Sequence, residues 1–108
     1  IGNNQRDITR VIENIVYLEL LRRGYEITIG KVDSLEVDFV CKKQKKLIYI
    51  QVSYLLASEE TVEREFKPLK SIQDNYPKYV ITMDDVDMSH DGIIHLNLID
   101  FLRDNEVI

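Results

Sequence analysis

Leu35-Glu36-Val37-Asp38-Phe39-Val40-Cys41, then Lys42-Lys43-Gln44-Lys45-Lys46, then Leu47-Ile48-Tyr49-Ile50-Gln51-Val52-Ser53 is the stretch on which the architecture turns. Two runs rich in β-branched and aromatic residues flank five polar ones, and that pattern predicts two antiparallel strands joined by a hairpin loop over residues 42–46. Just upstream, Tyr25-Glu26-Ile27-Thr28-Ile29 alternates in the same way, and Gly30 is expected to end it. The connection Lys31-Val32-Asp33-Ser34 then completes a three-stranded antiparallel meander.

On the N-terminal side, Ile8, Val11, Ile12, Ile15, Val16, Leu18 and Leu20 recur at three- and four-residue spacing. This predicts an amphipathic helix over residues 7–23, with Arg22 and Arg23 suited to its C-terminal dipole and Gly24 as its stop. On the C-terminal side, Ser58 can cap a second helix over residues 58–76, on which Val62, Phe66, Leu69 and Ile72 share a face. Pro68 removes a backbone donor there and predicts a kink or break near Lys67. Short strands are expected at 79–82 and 93–96, separated by a polar loop over 83–92, and a last helical turn or two at 98–102. The order implies a single α/β domain over 1–108, with a mixed sheet and flanking helices.

The chain has 108 residues and a formal net charge of −5. Residues 1–54 carry nine Lys and Arg against seven Asp and Glu, whereas residues 55–108 carry five against twelve. An acidic domain is a poor electrostatic partner for tight, autonomous DNA binding, which needs clustered positive charge. No apolar run approaches the roughly 20 residues that cross a bilayer, and no signal segment opens the sequence, so no membrane partner is expected. The lone Cys41 excludes an internal disulfide and a multi-cysteine zinc site, which suits a reducing cytoplasm.

Strand alternation puts Glu36 and Asp38 on one face of their strand and Tyr49, Gln51 and Ser53 on one face of the next. If the two rows face the same way, Asp38 and Gln51 lie about 5 Å apart, and Glu13 leans over them from the first helix. Two carboxylates and an amide oxygen are hard ligands, suited to Mg²⁺ or Mn²⁺. Gln51 and Glu13 also suit solvated surfaces, but a carboxylate inside an apolar strand is costly without a partner, so Asp38 carries the argument. Lys42, Lys43, Lys45 and Lys46 read as a solvated hairpin tip, and Asp84, Asp85 and Asp87 as loop. His90 and His95 lack the spacing of a zinc pair and read as hydrogen-bonding histidines, Cys41 as a small buried hydrophobe, and the strand tyrosines as core or rim.

The order of a helix with Glu13, a meander with Asp38 and a strand bearing Gln51-Val52-Ser53 resembles the PD-(D/E)XK nuclease superfamily. The likeness widens over residues 13–25, Glu36-Val37-Asp38-Phe39-Val40, Tyr49-Ile50-Gln51-Val52-Ser53 and Asp74-Asn75-Tyr76-Pro77-Lys78-Tyr79. These are similar to the PD-(D/E)XK-like domain of unknown function that follows the AAA-type ATPase module in bacterial ATP-binding proteins. The resemblance implies a restriction-endonuclease-like three-layer core. It also implies that the chain is the C-terminal part of a longer protein whose ATPase module is its partner, since no GxxxxGK(S/T) loop is present here.

Ser53 stands where that superfamily places a lysine, so the motif is degenerate: no cation orients a water or offsets phosphate charge. Arg64 and Lys67 are the candidates for a migrated cation. Three expectations follow from this. The first is a catalytically weak or inactive binding or regulatory appendage of the ATPase. The second is a divalent-metal nuclease using Glu13, Asp38 and Gln51, and the third is a protein-interaction domain.

Overall fold

The computed structural model describes residues 4–32 and 34–108. Its elements run α1 (Asn4–Arg22), β1 (Glu26–Val32), β2 (Leu35–Lys43), β3 (Lys46–Val52), α2 (Glu59–Lys70), β4 (Lys78–Thr82), β5 (Ile94–Asn97) and α3 (Leu98–Arg103). The five strands form one sheet in sequence order. β1, β2 and β3 pair antiparallel, while β3, β4 and β5 pair parallel, so the sheet is mixed. Antiparallel neighbours need only a tight turn, whereas the parallel β3–β4 pair needs a crossover, which α2 supplies.

Helices cover both faces. On one, Ile12, Val16 and Leu20 of α1 and Leu98 and Phe101 of α3 pack on Phe39, Cys41, Ile48, Ile50, Val52 and Ile81. On the other, Phe66 and Leu69 of α2 pack on Val37, Tyr49, Val80 and Ile93. Phe66 and Phe101 are fully buried, each worth about 2–3 kcal/mol of transfer free energy. Cys41 is buried as expected, and burial pushes its thiol up to about 12. Arg23, expected to serve the α1 dipole, is instead a buried strut: it donates to Glu19 and to the Phe101 and Asp104 carbonyls and lies over the Phe101 ring.

Several boundaries differ from the sequence reading. β1 does not stop at Gly30 but runs through it to Val32; the pairing register shifts between Thr28 and Gly30, so this glycine marks a bulge rather than an end. Asp33, in the expected connection, lies outside the described residues. The hairpin loop is not five residues but the pair Gln44-Lys45, with Gln44 taking a positive φ of 56°. Helix α2 is neither split near Lys67 nor continued to 76: one helix carries Pro68 two residues from its end at Lys70. A proline so near the C-terminus forfeits one bond in the last turns, which packing of Phe66 and Leu69 offsets. Only every fourth residue of the α1 pattern is buried; Ile8, Val11, Ile15 and Leu18 face outward.

The polar loop before β5 contains an Asp-Gly turn, with Asp91 and Gly92 both at positive φ between the bridged His90 and Ile93. His95 holds the rest of that loop. Its Nδ1 accepts from the Met88 N–H and its Nε2 lies 2.7 Å from Thr82 Oγ1, so both ring nitrogens are used structurally.

Candidate functional site

The pairing of β2 with β3 ends at Phe39 and Ile50, one residue short of Asp38 and Gln51. Beside it, the β1–β2 register passes from Thr28–Val40 to Gly30–Val37, so β2 holds one residue more than β1 over the bulge. A bulge bends its strand and re-aims the side chain there. Asp38 and Gln51 fill the resulting gap with side chains in place of a ladder. Gln51 Oε1 accepts from the Asp38 backbone N–H at 2.7 Å, and Asp38 Oδ2 accepts from the Val52 N–H at 2.8 Å. Gln51 is buried, and its amide nitrogen lies 3.4 Å from the Glu65 carbonyl oxygen on α2.

The Asp38 carboxylate thus sits where β2 and β3 part, between the helices of the two faces. A cavity of about 360 Å³ opens beside it, lined by Arg10, Glu13, Asn14, Tyr17 and Phe39 among others. Burial raises the Asp38 pKa, partly opposed by the Val52 N–H. Burial likewise raises that of Glu13, and the charges of Asp38 and Glu65 add to it against Arg10. Glu65 is raised by burial and then by Asp38, with Arg64 pulling the other way. Three carboxylates therefore share one electrostatic neighbourhood, each held above its ordinary range by desolvation first and by like charge second for Glu13 and Glu65.

Of the residues singled out in the sequence, Glu13 and Asp38 line one cavity, whereas Gln51 does not; it is spent on bridging the strands. Ser53 and Arg64 line a second cavity, beyond the end of β3. Lys67 is absent from that cavity and lines a groove along α2 with Glu60, Glu63 and Lys70, which Arg64 borders as well. Glu65 was missed, although a carboxylate directly preceding the buried Phe66 borders the apolar stripe of α2 and could have signalled it.

The donor set does not amount to a ready metal cage. Asp38 Oδ2 and Gln51 Oε1 already accept backbone hydrogen bonds, and among the described residues no three His, Cys, Asp or Glu side chains are disposed to hold an ion. What the arrangement offers is carboxyl groups that retain protons more readily than exposed ones, next to an accessible hollow.

Midway along β3 a different carboxylate is fully engaged. Tyr49 donates its hydroxyl to Asp74 Oδ2 at 2.6 Å, and Lys78 Nζ lies 2.8 Å from Asp74 Oδ1 while also donating to the Asp74 and Tyr76 carbonyls. These contacts hold the Asp74 carboxyl below the usual range despite an opposing burial effect.

No helix among the described residues is long and apolar enough to cross a membrane. An uncharacterized protein of Haemophilus influenzae is 39% identical over 103 residues, which cover 94% of this chain but only 25% of that protein. The chain thus spans about a quarter of the length of this relative. Residues 9–101, from the first turns of α1 through Phe101 of α3, match the family described as a domain of unknown function, DUF4143, and so take in every strand and the whole Glu13–Asp38–Glu65 neighbourhood; the chain belongs to that family.

Proposed function

We propose that this domain is a degenerate PD-(D/E)XK-like accessory module of a longer AAA-type ATPase, working by binding or regulation and catalytically weak or silent. Support for a restriction-endonuclease-like core comes from helices on both faces of a mixed sheet and from an aspartate at the point where two strands part. Support for a longer parent comes from the relative, of which this chain spans a quarter. The observation that carries the loss of catalysis is the fate of Gln51. Its oxygen and nitrogen both serve the fold, and Ser53 two residues on brings no cation to the Asp38 carboxylate. Without a second metal-ligating charge and a lysine, charge developing on a phosphate would go uncompensated, a deficit of several kcal/mol.

Calorimetric titration with Mn²⁺, alongside a plasmid-cleavage assay, tests this reading on the unaltered chain and on Asp38→Ala. We expect no saturable heat and no cleavage from either protein. Metal binding and Mn²⁺-dependent cleavage that both vanish in Asp38→Ala would replace this reading with the metal-nuclease one, which the shared Glu13–Asp38 cavity favours.

A further inference from the structure

We propose that the cavity between the first turns of α1, the chain after β3 and α2 binds a phosphate-type oxyanion carried by a small molecule. Its lining includes the guanidinium side chains of Arg6 and Arg64 and the hydroxyl residues Thr9, Ser53 and Thr61. Guanidinium groups present planar forks of donors that match oxyanions, and hydroxyl groups rotate to donate as needed. The lining contains no carboxylate. Four other cavities among the described residues each include at least one: Glu13 and Asp38, Asp74 and Asp91, Glu60 and Glu63, or Asp84 with Asp85, Asp87 and Asp100. In a chain of net charge −5, a lining whose only charged side chains are two guanidinium groups is a local reversal of the prevailing charge.

The donors are available. Arg6 is exposed and makes no ion pair among the described residues, and Arg64 is largely exposed, its Nε paired with Glu65 at 3.5 Å, a contact that an oxyanion would share or displace. Thr61 Oγ1 has one hydroxyl neighbour, Ser58 at 3.1 Å. The volume, about 250 Å³, falls below the roughly 300–1,000 Å³ of pockets for drug-sized ligands and suits free phosphate or a small phosphorylated metabolite. A long polyanion would meet the acidic second half of the chain, so a nucleic-acid strand fits less well.

This inference gives the ligand class of the binding role proposed above and rests on that reading only for calling the module a binder. Amide NMR titration of the 108-residue chain with inorganic phosphate, and separately with AMP, tests it. We expect saturable shifts at Thr9, Ser53 and Thr61, weakened about ten-fold by Arg64→Gln and lost in the Arg6→Gln/Arg64→Gln double variant. Lys67→Gln should leave them unchanged. Tighter binding of AMP would make the ligand a nucleotide, and equal binding would make the phosphate group itself sufficient; both support the site. Absence of saturable shifts, or shifts that persist in the double variant, would overturn it. So would a 5′-phosphorylated oligonucleotide that binds far more tightly than AMP with a steep salt dependence. Mn²⁺-dependent cleavage would overturn the silent-module reading while leaving the oxyanion site standing, so the two failures are distinct.

Discussion

Midway along β3, at Tyr49, a carboxylate meets a phenol and an ammonium; at the end of the strand, beside Val52, a carboxylate meets one amide N–H and the fields of two further carboxylates. Asp74 and Asp38 are the same residue type, held by the same strand, yet their pKa values move in opposite directions. Burial raises both; for Asp74 the hydrogen bonds and the Lys78 charge together outweigh it, and for Asp38 a single N–H does not. The first arrangement is what a fold does with a carboxylate it uses for stability. The second leaves desolvation uncompensated, which is the pattern found where a group is kept for something other than stability.

The comparison breaks most readily at Asp74. Replacing it by alanine leaves the Lys78 ammonium, only 10% exposed, without its counter-charge, and we expect a loss of about 3 kcal/mol in urea denaturation. A change below about 0.5 kcal/mol would show that this cluster does not anchor the chain before β4.

A smaller effect, of opposite sense, is expected at Asp38. Asp38→Asn keeps an acceptor for the Val52 N–H while removing a buried charge, so stability at neutral pH should be unchanged or higher by up to about 1 kcal/mol. Asp38→Ala, which strands that N–H, should be the less stable of the two variants. Equal losses in both would mean that the charge itself stabilises the strand end.

Smaller again are the pH slopes, which sharpen the contrast. The lowered Asp74 pKa gives stability that is present above about pH 4 and is lost as the pH falls through its folded value. For Glu13, Asp38 and Glu65, whose pKa values are raised, the folded state keeps protons longer than the unfolded one. Their contribution is therefore most favourable below about pH 4 and declines as the pH rises through their folded values. Urea midpoints measured from pH 4 to 7 should show Glu13→Gln gaining on the unaltered protein as the pH rises. A constant difference across that range would dissociate Glu13 from the coupled group.

Much of the architecture was legible because it rests on short-range periodicity. The alternation at 35–41 and 47–53 and the apolar spacing at 8–20 and 62–69 specify strands and helices whatever they pack against. Where the sequence reading went astray, a longer-range contact prevailed: Gly30 could be a stop or a bulge, and pairing with Val37 made it a bulge. Arg23 could serve a helix end or a core, and the Phe101 ring with two α3 carbonyls put it in the core. Pro68 could divide a helix, yet it falls in the last turns, where few bonds remain to lose.

The sequence by itself determined the order of elements, the mixed α/β character and the oddity of a carboxylate at position 38, because each is set by side-chain chemistry within a few residues. Only the tertiary structure decided what surrounds that carboxylate. The extra residue in β2 parts it from the β3 ladder, Gln51 turns to the Glu65 carbonyl, Glu65 enters from α2, where the sequence had pointed only to Arg64 and Lys67, and Arg64 rather than Lys67 comes beside Ser53. Those outcomes depend on a one-residue register shift and on the rotation of two packed helices, and neither quantity is encoded in the local pattern of any single segment.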